Sequence, residues 1–234
     1  MAESTKRLLL ISNSTLHGSG YLDHAENEIR DFLGNTGQVL FIPYALYDRH
    51  AYAAKARERL GGMGYQVASV HEAQDPRGAV ERAKAVFVGG GNTFRLLKAI
   101  YDTDLLEVIR HRVQRGMPYV GASAGSNLAC PTIKTTNDMP IVEPPTLKAL
   151  GLVPFQINPH YLDPDPNSTH KGETREQRLR EFLEENDKPV VALREGAMLR
   201  VEDGRVTLKG KAGARIFRRG QEPLEVRPGS VTEL

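Results

Sequence analysis

Cysteine occurs once in 234 residues, as Cys130, so no disulfide can form within the chain. That fits a reducing compartment. Excess charge of one sign is also missing: 31 Lys and Arg against 29 Asp and Glu leave a formal net charge of +2. This is too small to point to nucleic acid or a membrane surface. Long hydrophobic runs are absent too, and no stretch can span a bilayer. The polar segment Met1 to Arg7 reads as neither signal peptide nor anchor, so a cytoplasmic protein is expected. No group of Cys, His, Asp and Glu has a familiar metal-site spacing. What remains is an ordinary globular composition, 40% hydrophobic and 26% charged. No internal repeat divides it, and a single domain over 1–234 is expected.

Short apolar runs alternate with amphipathic stretches through the first half. Arg7 to Ser12, Gln38 to Ile42, Tyr65 to Val70, Ala85 to Val88 and Tyr119 to Gly121 read as strands. Asp23 to Leu33, Ala51 to Leu60, Arg77 to Ala83, Thr93 to Ile100 and Leu105 to Arg115 read as helices, several closed by glycine. This alternation predicts an α/β fold, a mainly parallel sheet with helices on both faces. Ligands bind such sheets beyond the carboxyl ends of the strands, at loops Asn13 to Gly20, Gly89 to Asn92 and Gly121 to Gly125. The pattern changes after Cys130. Val153 to Ile157 reads as a strand and Glu173 to Glu184 as a helix. The tail reads as short antiparallel strands, a β-rich C-terminal edge with an Asp-Gly hairpin at Asp203-Gly204.

Gly121-Ala122-Ser123-Ala124-Gly125 matches G-x-S-x-G, after a strand and before a helix. It is either a nucleophile's sharp turn, with the Ala124 amide as an oxyanion donor, or a small-residue turn that packs closely. Among seven histidines, His160 in Gln156-Ile157-Asn158-Pro159-His160 falls at a strand's end and is the candidate base. His17 competes from the first loop, and His170 lies in a polar loop. Asp138 and Glu195 are both loop acids that could orient the base, and spacing does not choose between them. Gly89-Gly90-Gly91-Asn92 fails as a dinucleotide fingerprint, because Phe94 stands where glycine is needed, and it lacks the Gly-Lys-Ser/Thr of a Walker loop. It suits the second half of an oxyanion hole. Taken alone, Lys171 to Arg178 is a solvated, salt-bridged helix face.

Six ordered blocks together resemble the peptidase E family, the α-aspartyl dipeptidases grouped with cyanophycinase. They are Leu10 to Thr15, Val88 to Phe94, Ser123 to Thr132, Thr135 to Pro140, Gln156 to His160 and Lys171 to Arg178. The resemblance implies a class I glutamine amidotransferase-like (flavodoxin-like) fold with serine as nucleophile. It implies hydrolysis of dipeptides bearing an N-terminal L-aspartate, without metal or cofactor. Ser123 would be the nucleophile and His160 the base, with Asp138 and Glu195 both at matching acid positions. Gly91 and Ala124 would form the oxyanion hole. Arg175 would pair with the aspartyl carboxylate, and Asn92 would also contact substrate. The partner is a small peptide. A homodimer is compatible with the chain, whose oligomeric state the sequence leaves open. A cyanophycinase-like β-aspartyl peptidase and a non-catalytic amidotransferase-like binding protein are the alternatives. An amidotransferase proper would need cysteine at the elbow, and Cys130 lies beyond it.

Overall fold

Leu8–Ile11 forms β1, and all four side chains are fully buried because both faces of the strand are covered. In the computed structural model, residues 6–169 and 171–232 are described; His170 and the segment before Lys6 lie outside them. The chain continues through α1 (Glu26–Leu33), β2 (Gln38–Ile42), α2 (Arg49–Gly62), β3 (Gln66–Ser69), α3 (Pro76–Arg82) and β4 (Val86–Val88). Then come α4 (Thr93–Asp102), α5 (Leu106–Gln114), β5 (Tyr119–Ala122) and α6 (Ala124–Ala129). Helices α2 and α3 begin slightly earlier than their apolar pattern suggests, because the side chains of Asp48 and Asp75 accept from the amides of Ala51 and Gly78.

Strands β1, β5, β4, β2 and β3 lie side by side in that order, all parallel. Alternation along each strand splits the core. Leu8, Leu10, Ile42, Val88 and Tyr119 face one way, against α4 and α5. Leu9, Ile11, Phe41, Phe87 and Val120 face the other, against Ile29 and Phe32 of α1 and Tyr52 and Ala56 of α2. Each fully buried residue of this kind contributes about 1.5–3 kcal/mol of transfer free energy.

The second half makes β6 (Gln156–Tyr161), α7 (Arg175–Glu185), β7 (Val190–Arg194), β8 (Ala197–Glu202), β9 (Arg205–Gly210), β10 (Ala214–Phe217), β11 (Leu224–Val226) and β12 (Val231–Thr232). Strands β8, β9 and β12 extend the main sheet antiparallel from β1, giving the β-rich edge. The turn between β8 and β9 is Asp203-Gly204, both at positive φ, 52° and 72°. The other four strands form a separate sheet, β11-β10-β7-β6, in which β6 and β7 run parallel. Leu179 and Leu183 of α7 cover it against Tyr161, Val190 and Phe217.

The strand expected at Val153 to Ile157 begins later, at Gln156. The preceding residues are drawn off to α6, where Leu150 N and Leu152 N donate to the carbonyls of Leu128 and Ala129. Pro159 is tolerated inside β6 because this is an edge strand, and the register breaks between Asn158 and Tyr161.

Candidate active site

The Gly121–Gly125 turn packs closely on the sheet, and its backbone at Ser123 is strained. A Cβ on Gly121 would lie 2.5 Å from Gly125 O, and one on Gly125 would lie 2.3 Å from Val88 O. Only glycines let α6 begin directly on β5 and press against β4. That close packing drives Ser123 to φ 51° and ψ −106°, a region a non-glycine residue enters only under constraint. The constraint is visible. Ser123 N donates to Ile11 O at 2.9 Å, and Ser126 N and Asn127 N donate to Ser123 O at 2.8 and 3.1 Å. Ala124 is the first residue of α6, so its amide has no acceptor within the helix.

His160 reaches this serine from the other sheet. It sits in the irregular part of β6, at φ 53°. Its amide donates to Ser12 Oγ at 2.9 Å, and Ser12 Oγ donates in turn to Leu193 O at 2.9 Å. Asn137 Nδ2 holds the Pro159 carbonyl at 2.6 Å. So positioned, His160 Nε2 lies 3.0 Å from Ser123 Oγ, and Nδ1 lies 2.7 Å from Glu195 Oε1. The imidazole and Glu195 carboxylate are 40% and 44% exposed, so water screens their attraction in part. Glu195 stands where the chain passes from β7 in one sheet to β8 in the other, and Asn13 Oδ1 accepts from the next amide, Gly196 N, at 2.8 Å.

The second acid does something else. Asp138 Oδ2 accepts from Thr93 N at 2.7 Å, Thr93 Oγ1 at 2.6 Å and Thr136 Oγ1 at 3.1 Å. It thus caps the start of α4, where the helix dipole favours an anion, and its hydrogen bonds go to Thr93 and Thr136 rather than to His160. It faces Arg175, the first residue of α7, across one cleft of about 590 Å³. This volume falls in the range of small-ligand sites. Burial pulls the Arg175 guanidinium down from its ordinary value, Arg178 adds to that, and Asp138 opposes it. The ordinary value is so high that the group stays charged.

Ser123, His160, Glu195, Asp138, Arg175 and Gly91 all line this cleft. Asn92 is not on its wall. Its side chain caps α4, accepting from Arg95 N at 3.0 Å and donating to Met139 O at 2.9 Å. His17 is exposed on the first loop and is not part of the lining. Cys130 is buried, and burial pushes its thiol up to about 12, so it offers no competing nucleophile. Ser12 and Asn13 were missed by sequence reasoning as positioning residues. Their loop lies on the ligand side of the sheet, but their partners stand more than 140 positions away.

A hydroxyl on a strained strand-to-helix turn, backed by an imidazole and a carboxylate, defines a hydrolase of the serine type. The sequence matches peptidase family S51 over residues 8–209, and the chain belongs to that family. It is similar to a Streptomyces coelicolor protein named Peptidase E, 60% identical over 95% of this chain and 92% of the relative. A Drosophila melanogaster protein named "Probable alpha-aspartyl dipeptidase" is 49% identical, over 96% of this chain and 95% of its own. The fold matches that of a solved peptidase from an acI-B1 actinobacterium, with a TM-score of 0.71 at 17% identity, covering 98% and 97% of the two chains.

Proposed function

We propose that this chain is a cytoplasmic serine dipeptidase, one domain over its whole length, that hydrolyses Asp-Xaa dipeptides through an acyl-enzyme. Ser123 Oγ attacks the aspartyl carbonyl while its proton passes to His160 Nε2. Glu195 accepts from Nδ1–H, holds that tautomer and stabilises the imidazolium. The amides of Gly91 and Ala124 take the developing oxyanion. His160 then protonates the leaving amine, and water enters along the same path in reverse to release aspartate. The names of the family relatives support the substrate class.

The observation that carries the reading is the charge on the cleft wall. An N-terminal aspartate brings one carboxylate and one ammonium. The wall offers Arg175 for the first and Asp138 for the second. A guanidinium binds a carboxylate bidentately, and a substrate lacking that group would leave Arg175 desolvated and unpaired, at a cost of roughly 2–5 kcal/mol.

A matched panel tests this: Asp-Leu, β-linked Asp-Leu, Glu-Leu, Asn-Leu and Ala-Leu, with wild type and Arg175→Ala. Asp-Leu should be cleaved far better than the others, and Arg175→Ala should erase most of that preference. Full Asp-Leu activity in Arg175→Ala would move carboxylate recognition elsewhere. Preferred cleavage of the β-linked peptide would place the protein with the β-aspartyl peptidases.

A further inference from the structure

Three donor groups that do not line the Ser123 cleft meet where the first turn of α2 approaches the turn after β3. His50 Nδ1 and His71 Nε2 are 3.3 Å apart. Glu72 Oε1 lies 4.0 Å from each of these nitrogens. Around a tetrahedral ion with ligands at about 2.0–2.1 Å, neighbouring donors stand about 3.3–3.4 Å apart. The two imidazoles already hold that spacing, and a small rotation brings the carboxylate to it. We propose that His50, His71 and Glu72 form a binding site for a divalent transition-metal ion of the zinc type.

The surroundings fit such a site. His71 is held from behind, with Nδ1 2.7 Å from Ser69 Oγ and the side chain only 5% exposed. A hydrogen bond on one ring nitrogen fixes the orientation of the other toward a metal. Arg57 Nη2 donates to Glu72 Oε2 and so leaves Oε1 as the oxygen facing the imidazoles. His50 is 82% exposed and opens onto a depression of about 470 Å³ lined also by Tyr47, Asp48 and Arg49. That depression gives an entry path and room for water as a further ligand. Two imidazoles and one carboxylate favour zinc, copper or nickel over magnesium or calcium. The bound ion would tie α2 to the connection between β3 and α3, stiffening the outer end of the parallel sheet.

The test uses the full chain, stripped with chelator and titrated calorimetrically with Zn²⁺. Co²⁺ added separately reports coordination through its visible absorption. His50→Gln removes an exposed ligand without touching the core, and His17→Gln serves as a surface-histidine control. Wild type should bind Zn²⁺ at a site that His50→Gln weakens at least about tenfold and His17→Gln leaves alone. Zn²⁺ should raise the melting temperature of wild type more than that of His50→Gln. Absence of Zn²⁺ binding in wild type would overturn the proposal. So would equal affinity and equal stabilisation in His50→Gln, since the imidazoles would then merely share a hydrogen bond.

Discussion

Glu195 and Asp138 are both acids in loops of the sequence, and neither carries a local signal of its role. What separates them is reach. Glu195 touches His160 Nδ1, whereas Asp138 is held by Thr93 and Thr136. The two neutralising variants should therefore fail differently. Glu195→Gln should lower kcat on Asp-Leu by about 10²–10⁴-fold, because the imidazole loses its tautomer and its counter-charge. Asp138→Asn should chiefly raise KM, because the ammonium loses its partner. Steady-state kinetics on both variants, each checked for native circular dichroism, would show this. A larger kcat loss in Asp138→Asn would reverse the assignment. Arg175 stands out in the sequence only through the family resemblance. Its helix start has the composition of a solvated face, and the fold brings that residue onto the same cleft as Asp138.

Among the elements, the elbow is where packing and chemistry are least separable. Gly125 has Val88 O where its Cβ would go, and a strand carbonyl cannot step aside. Gly125→Ala should therefore destabilise the protein by about 1–3 kcal/mol and misplace Ser123. Urea unfolding and Asp-Leu turnover would measure the two effects, and a variant with wild-type values in both would refute the close-packing account. The elements of the first half were legible because each strand is a short apolar run bounded by turn residues or followed by a capped helix. The separate second sheet was not. Its β6 pairs with β7, Gln156 opposite Val190, and nothing in the local pattern at Pro159 announces a strand. The sequence places a strand up to Ile157, and the irregularity that hides its continuation to Tyr161 is the same one that aims His160.

At the scale of the whole molecule, the two sheets meet through the site. Ser12 at the end of β1 bonds both His160 and Leu193 of the other sheet, and the chain crosses between sheets at Glu195-Gly196. Elsewhere in the molecule, ion pairs and a half-buried histidine make stability depend on pH in a fixed direction. Hydrogen bonding from Arg194 holds the Asp163 carboxyl below its usual range, as Arg59 and Arg30 do for Glu26 and Arg200 does for Asp31. A depressed carboxylate contributes stability above its unfolded value and loses it as pH falls through the folded one. Burial lowers the His24 value, so protonation of that ring also favours the unfolded chain. The urea midpoint should begin to decline below about pH 6.5 and fall steeply below about pH 4. A midpoint that rose on acidification would contradict this.

The central claim is that Ser123 is the nucleophile of this relay. It is tested most directly by Asp-Leu hydrolysis with wild type and Ser123→Ala, the two proteins matched for folding by circular dichroism. A fall of at least about 10⁴-fold in kcat, with the fold intact, is the predicted result. Turnover by Ser123→Ala within about tenfold of wild type would mean that the bond is broken by some other group.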